Sequence, residues 1–369
     1  VRIASFNVEN LFERARALDP SHWETGRPVL ERQARVNAVL GRPEYSDDDK
    51  AEIVDLLDAL GLSASDAGPL AVLRQNRGHL LTRHPDGRVE ITASGRADWV
   101  GWVELTKGPV DELSTRHTGQ VIRDLAPDVL GTVEVEDRPT LKGFSRVVLP
   151  EVGAPAYEHA MVIDGNDDRG IDVGVLLKEG YEISAMTSHV DDVDDRGAIF
   201  SRDCPEYAIR GPGGFRLLLL VNHLKSKGFG SQQANDARRR RQAVRVAQLY
   251  EAARAAGEDH VAVVGDFNDS PESKALEPLL AGTDLRDITE SPRFTNDGRP
   301  GTFRNGTKGT KIDYVLLSPS LFAVTSGGGI HRRGVWGGKN GTLWEHYPDM
   351  AGPHQAASDH AAIWADIEV

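Results

Sequence analysis

Residues 265–269 read Gly-Asp-Phe-Asn-Asp directly after the apolar run Val261–Val264. An extended strand turns residues two apart to the same side, so Asp266 and Asn268 should face one way and Phe267 the other. A carboxylate beside a carboxamide can position and polarise an attacking water, or hold a phosphate oxygen. Asp and Asn after a strand are also ordinary turn formers, so the pentapeptide gains its weight from other clusters in comparable settings. A short strand within Ile3–Asn10 ends in Asn7 and Glu9, and the run that follows Asp128 delivers Glu134. Leu217–Val221 is followed by Asn222, His223, Lys225 and Lys227, Asp313 lies in Lys311–Leu317, and Asp359-His360 leads into Ala361–Val369. Each is an apolar strand that begins or ends in acid, amide or imidazole groups, and strand ends are where open α/β folds collect their chemistry.

The elements that must carry these groups can be read from periodicity. A strand over 2–8 precedes helices near 29–40 and 47–60; the second has a Ser46/Asp49 capping pair and Ile53, Leu56, Leu57 and Leu60 along one face. Val89–Thr92 and Val100–Leu105, separated by Ser94-Gly95, read as strands of a hairpin or small sheet. A helix near 118–126 stops at Pro127 and leads into a strand over 128–134. Later strands are expected at 160–164, 171–177, 198–201, 206–210, 215–221, 261–265, 312–317 and 361–367, with helices at about 236–256 and 273–281. The first of these helices should bury Val244, Ala247 and Val246 or Tyr250 and leave the basic run Arg238–Arg241 as a solvated surface. Residues 326–357 read as one long glycine-rich segment holding Trp336, Trp344, His346, Tyr347 and His354, whose aromatics either stack on a ligand or anchor the loop. About 41–115 reads as an insertion on one core, without a Gly/Ser or Pro-rich linker and without internal repeats. Mixed strands and helices point to a layered α/β protein.

Composition narrows the classes. With 39% apolar residues, the 369-residue chain can build a substantial core. No apolar run approaches the roughly 18–20 residues of a membrane span. A strand begins at once after Val1 with no signal peptide visible, which slightly favours a cytoplasmic over a secreted location. The single cysteine, Cys204, excludes an internal disulfide and reads as a passive residue. A net charge of −13 argues against a general electrostatic grip on duplex nucleic acid, although local basic patches and metal ions can offset it.

Taken in order, Asn7, Glu134, His223, Asp266, Asn268, Asp313, Asp359 and His360 make the chain resemble the endonuclease/exonuclease/phosphatase superfamily, with Gly-Asp-Phe-Asn and Ser-Asp-His the most specific pieces. It departs from the family in having Val133 where Gln usually precedes the metal-binding Glu, and in a longer stretch between the first strand and Glu134. The resemblance implies one domain over 1–369 carrying the 41–115 insertion, folded as a four-layer α/β/β/α sandwich with two packed mixed β-sheets. It implies a phosphate-ester hydrolase using Mg²⁺ or Mn²⁺, with Glu134 as principal metal ligand, Asn7 and Asp359 assisting, and Glu9 a weaker candidate. His360 becomes the general base or water-orienting group, its tautomer held by Asp313. Asp266 and Asn268 would position the water and a phosphoryl oxygen, and His223 would donate from the opposite side. Phe200-Ser201-Arg202-Asp203 resembles the family stretch with a phosphate-contacting arginine, and Arg169 and Lys225 are further substrate contacts. His22, His79, His84, His117, His159, His189, His260 and His331 read as ordinary surface or core residues.

Oxygen donors of this kind suit a hard cation, while zinc is disfavoured because no His-x-x-x-His or paired cysteines occur. Three functions are compatible with the set. The leading one is a metal-dependent nuclease that cleaves DNA or RNA phosphodiesters by activated-water attack. The second is a phosphatase or phosphodiesterase for a small molecule, inositol phosphate or lipid head group, favoured by the acidic balance. The third is a binding module that kept the fold and lost catalysis, against which the intact Glu134, Asp266, Asn268, Asp313 and His360 argue.

Overall fold

A computed structural model of the chain describes residues 1–18, 23–167, 169–228 and 230–368. They fall into two compact units, Val1–Phe12 with Val110–Val369, and Glu13–Pro109. The larger unit holds two mixed sheets. The first has seven strands in the order Phe294–Thr295, Thr325–His331, Ala362–Ile367, Arg2–Asn7, Val129–Val135, Asp172–Leu177 and His159–Ile163. The second has six, in the order Glu182–Thr187, Glu206–Arg210, Arg216–His223, Val261–Asp266, Asp313–Leu317 and Arg286–Asp287.

Strand alternation divides the apolar residues among three layers of core. Ile3, Val129, Val133, Val175, Leu219, Val221, Val264, Val315 and Ile363 meet between the sheets. The alternate residues of the first sheet, Ala4, Phe6, Leu130 and Leu176, pack against Val121, Ile122 and Leu125 of the Glu112–Leu125 helix and Leu141, Phe144 and Leu149 of the Arg138–Glu151 helix. Leu218, Leu220, Val261, Val263 and Leu316 do the same for the second sheet against Ala243, Val246, Leu249 and Tyr250 of the Gln232–Ala255 helix. The result is the four-layer α/β/β/α sandwich. Among the described residues no helix is long and apolar enough to cross a membrane.

Two glycines mark where this packing leaves no room. A Cβ on Gly131 would lie 2.7 Å from Val264 Cγ2 in the facing sheet, and one on Gly265, at φ +135°, would lie 1.9 Å from the Asn222 carbonyl oxygen of the neighbouring strand. Gly265 is therefore fixed by backbone approach, and it immediately precedes Asp266.

Strand direction then collects the polar ends. Arg2–Asn7 runs parallel to Val129–Val135, with Asn7 opposite Val133, and Arg216–His223 runs parallel to Val261–Asp266, with His223 opposite Asp266. Asp313 starts an antiparallel strand opposite Asp266, and Ala362–Ile367 starts beside the end of Arg2–Asn7.

Several expectations need correction. Val89–Ile91 pairs with Leu81–Arg83 and Val100–Leu105 with Ala71–Arg77, so the two do not form one hairpin. The smaller unit, Glu13–Pro109, also takes in the helix expected at 29–40, which runs over Trp23–Leu40, so the compact segment is wider than about 41–115. Its second helix, Asp47–Ala59, has the expected capping box: Asp49 N donates to Ser46 Oγ at 3.1 Å and Ser46 N to Asp49 Oδ2 at 3.0 Å. No helix is expected from the sequence reading at Arg138–Glu151, where one forms with Pro139 in its first turn; Asp137 caps it by accepting from Thr140 N at 2.7 Å. Of the glycine-rich 326–357 segment, Thr325–His331 is a strand in the first sheet; Gly329 lies where a Cβ would meet the Trp364 ring at 3.2 Å. At 198–201 only Gly197–Ala198 is extended, and at 273–281 only Glu277–Leu280 is helical. Val244 is exposed on its helix, whereas Arg239 within the basic run is fully buried.

Gly131→Ala should lower the unfolding free energy by about 1–3 kcal/mol, the usual cost of overpacking. Denaturant titration checks this, and a change below about 0.5 kcal/mol, within the range of ordinary surface changes, would contradict so close an approach of the sheets.

Candidate active site

Asp266 stands at the centre of the gathered strand ends, and its carboxylate is almost wholly buried. Its Oδ1 accepts from the backbone N of Asn268 at 2.8 Å, while Oδ2 accepts from Asn268 Nδ2 at 3.2 Å and from Asn7 Nδ2 at 3.3 Å. Asn268 reaches back because its backbone is left-handed, with φ +55°, a conformation Asn tolerates better than most residues. On one side of Asp266, His223 Nε2 lies 3.8 Å from Asp266 Oδ2 and 3.6 Å from Glu134 Oε1. On the other, His360 Nε2 lies 3.9 Å from Asp266 Oδ2. His360 Nδ1 is bonded to Asp313, at 2.9 Å from Oδ2 and 3.1 Å from Oδ1.

Glu134 arrives by a local break in its strand. Val133 pairs with Val173 and Val135 with Asp172, so Glu134 is an extra residue with φ +60°. Simple alternation would place it on the face away from Val133 and the inter-sheet core. The bulge releases it from that face, and Val135 turns to the outer core instead. A non-glycine residue held at positive φ costs about 1–2 kcal/mol, and bulges of this kind often re-aim a functional side chain.

The electrostatics follow from burial. Burial pushes the Asp266 carboxyl up to about 7, opposed by His360 and reinforced by Asp313 and Glu134. Burial disfavours the charged His360 ring, but Asp313 and Asp266 outweigh it and hold the imidazole well above its ordinary value. Burial, then the guanidinium groups of Arg202 and Arg169, push His223 well below its ordinary value, which leaves it neutral. The two histidines therefore differ in charge although both face Asp266.

The other expected residues are placed as follows. Asn7 Oδ1 accepts from Glu9 N at 3.1 Å, and Glu9 Oε2 accepts from Asp359 N at 3.1 Å. Asp359 Oδ1 is 3.7 Å from His360 Nε2. Arg202 is buried, with Nε 3.3 Å from Asp167 Oδ2, and Arg169 Nη2 is 2.5 Å from the same oxygen. Lys225 donates from Nζ to the Ser226 carbonyl at 3.2 Å; burial, then Arg169, Arg202 and Arg238, bring it down to about 8. The three basic residues thus share one electrostatic neighbourhood around Asp167, which sequence reasoning missed. Its only signal was its place two residues ahead of Arg169 in a turn. Among the described residues Arg202 Nε and Nη1 and His223 Nδ1 have no hydrogen-bond partner, so unpartnered buried polar atoms adjoin the acidic cluster.

A family model described as the endonuclease/exonuclease/phosphatase family matches residues 110–360. The chain belongs to the endonuclease/exonuclease/phosphatase family. Members of this family are hydrolases of phosphoester bonds. No curated protein matches the sequence. Among solved structures, the chain is similar to a mannosyl-6-phosphatase from Bacteroides thetaiotaomicron, with a TM-score of 0.51, 17% identity, and coverage of 70% of this chain and 92% of that one. It is also similar to an endonuclease/exonuclease/phosphatase from Bacteroides vulgatus, with a TM-score of 0.50, 19% identity, and coverage of 70% and 91%. At such identities the likeness establishes the fold alone.

Among the described residues of this family member, two groups of acidic and imidazole side chains have the spacing of metal ligands. Glu134, His223 and Asp266 offer atoms all within 4.8 Å of one another, and so do Asp266, Asp313 and His360. The expected set of Glu134, Asn7 and Asp359 shares only Glu134 with these groups. Carboxylates packed this closely, one of them pushed up to about 7, form a donor set that a hard divalent cation fits. The histidines set aside lie elsewhere: His189 bridges Asp192 and Glu206, at 3.1 and 2.8 Å, and His117 bonds to the Gln355 carbonyl at 2.6 Å and to Asp349 at 2.9 Å. His22 lies outside the described residues. Cys204 is buried, and burial raises its thiol well above the usual value. In the 332–357 loop Tyr347 stacks on His117, Trp336 stacks on His346, and Trp344 Nε1 donates to the Val335 carbonyl at 2.9 Å. These contacts favour the anchoring reading for the loop aromatics.

Glu134→Gly and Glu134→Ala remove the same carboxylate but differ in tolerance of positive φ. Glu134→Gly should therefore be more stable than Glu134→Ala by about 1 kcal/mol in denaturant unfolding. The reverse order would contradict the bulge.

Proposed function

We propose that this chain hydrolyses phosphate esters with a divalent cation, Mg²⁺ or Mn²⁺, by attack of a water activated at His360. The observation that carries this reading is the His360–Asp313 pair, with Nδ1 bonded to the carboxylate at 2.9 Å and Nε2 standing 3.9 Å from Asp266. Once the ring has given up its Nε2 proton, Asp313 fixes the tautomer in which Nε2 can accept one from the water, and it stabilises the imidazolium that results. Asp266, itself fixed by Asn7 and Asn268, orients the same water. His223, neutral and across from His360, donates a hydrogen bond toward the phosphoryl group, and the guanidinium groups of Arg202 and Arg169 contribute positive potential behind it. Glu134 would be the principal metal ligand, with Asp266 close enough to share it and Asn7 and Asp359 assisting. A bound cation would reduce repulsion between the substrate's negative charge and the nucleophile and stabilise the departing oxygen.

Within this class, charge favours a small phosphate ester over duplex nucleic acid. The net charge is −13. Three of the four arginines in the one dense basic run are paired: Arg239 with Asp236 and Asp269 at 2.8 and 3.0 Å, Arg240 with Glu277 at 3.5 Å, and Arg241 with Asp194. The mannosyl-6-phosphatase among the similar folds is compatible with this preference.

A panel of phosphomonoesters, assayed beside supercoiled plasmid and single-stranded oligonucleotide in Mg²⁺, Mn²⁺ or EDTA, tests the proposal. Monoester turnover should require the metal, and His360→Gln or Glu134→Gln should lower it by about 10²–10⁴-fold. Plasmid nicking without monoester turnover would replace the small-ester reading by the nuclease one. Undiminished turnover in EDTA, or an unchanged rate in His360→Gln, would refute the metal-and-base account itself.

A further inference from the structure

Asp313 begins a strand of the second sheet, while His360, 47 positions away in sequence, lies just before the strand Ala362–Ile367 of the first, so their bond depends on how the two segments that carry them are held together. Thr302 touches both segments. Thr302 is buried, and its Oγ1 accepts from the backbone N of Asp313 at 3.0 Å and from that of Ile312 at 3.2 Å. Its carbonyl oxygen accepts from Ala361 N, the residue after His360, at 2.7 Å, and its own N donates to the Thr310 carbonyl at 2.9 Å. The two residues that follow continue the seam. Phe303 forms an isolated bridge with His360, and their rings lie 4.8 Å apart. Arg304, at φ +48°, donates its N to the Asp359 carbonyl at 2.8 Å.

We propose that Thr302 is a positioning residue for the reaction: its hydroxyl sets the Asp313 backbone and its carbonyl sets the His360 segment, so that one residue fixes the distance between base and carboxylate. The geometry is specific to a β-hydroxyl. The Asp313 amide points to an oxygen one bond from the Thr302 Cβ, while the carbonyl on the other side of the same residue is used by Ala361. Lys311 supports the arrangement from beyond Asp313, donating from its buried Nζ to the Asp313 carbonyl at 3.0 Å and to Asp287 Oδ2 at 2.7 Å. Removing the hydroxyl would leave two buried backbone N–H groups without this acceptor, and the Asp313 segment would relax away from His360. Thr302 touches no reacting atom. Its effect is on geometry, where a displacement of about 1 Å can cost on the order of 10²-fold in rate.

This inference rests on the proposed hydrolysis for its kinetic consequence but not for its geometry, and the test reads both. In kinetics on the best monoester, Thr302→Val should lower kcat by about 10–100-fold with KM within about twofold, whereas Thr302→Ser, which keeps the hydroxyl, should stay within about threefold of wild type. In metal-free protein, the downfield imidazole Nδ1–H resonance, assigned by its loss in His360→Gln, should be present in wild type and Thr302→Ser and be lost or broadened in Thr302→Val. If Thr302→Val does not fold, Thr302→Ala against Thr302→Ser carries the same comparison. An active wild type whose kcat and resonance are unaffected by loss of the hydroxyl overturns the positioning role, as does a Thr302→Ser variant as impaired as Thr302→Val. A resonance that depends on Thr302 in a protein that hydrolyses no ester would leave the positioning intact and overturn the hydrolase reading.

Discussion

Burying several carboxylates in one place is the constraint around which this fold is organised. Asp266 and Asp313 are each about 1% exposed, and Glu134 lies close by. Like charges taken out of water at such distances are unfavourable unless a proton, a cation or a dense set of donors compensates. The fold supplies part of the compensation. Asn7 and Asn268 donate to Asp266, His360 donates to Asp313, and the Arg169–Asp167–Arg202 group adds positive potential nearby. Burial, reinforced by Asp313 and Glu134 and opposed by His360, still pushes Asp266 up to about 7. A site of this kind is poorly explained by packing alone, and it matches the phosphoester chemistry of the family to which the chain belongs.

The same constraint explains where the backbone is unusual. Glu134 and Asn268 have positive φ, and Gly265 is crowded by the Asn222 carbonyl; all three adjoin Asp266. Arg304, also at positive φ, braces Asp359 from the other side. Strain of about 1–3 kcal/mol per such residue persists only where surrounding structure enforces it. Here the enforcing structure is the tight apposition of two sheets, with Gly131 at the closest approach. The smaller unit, Glu13–Pro109, leaves and rejoins the larger one at neighbouring points, since Val110 N donates to the Phe12 carbonyl at 2.8 Å.

Much of the central strand pattern was legible because its residues alternate cleanly. Leu217–His223 and Val261–Asp266 are apolar runs ending in polar groups, and period two alone turns His223 and Asp266 to the same side as the inner core. The gathering of Asn7, His223, Asp266 and Asp313 could be anticipated in this way, whereas His360 precedes the strand Ala362–Ile367 and was found by resemblance. Glu134 was found by type and by resemblance, but its route into the site was not, since a bulge leaves no mark in the alternation of Val129–Val135. Arg202 was read as a substrate contact from its neighbours in sequence; its burial and its pairing with Asp167 depend on the turn ahead of the strand Asp172–Leu177. Arg239 illustrates the opposite error. A run of four arginines suggested a solvated face, yet one of the four points inward and is held by Asp236, Asp269 and the Lys225 carbonyl. Thr302 was invisible because its contacts are to backbone atoms, which carry no residue-type signature.

The most direct test of the central claim is anomalous diffraction at the manganese edge from crystals of the wild-type protein equilibrated with Mn²⁺. The account expects an anomalous peak within bonding distance of a Glu134 carboxylate oxygen, with the His360–Asp313 hydrogen bond intact beside it. Peaks confined to surface carboxylates remote from Asp266, with the acidic cluster empty at saturating Mn²⁺, would contradict it.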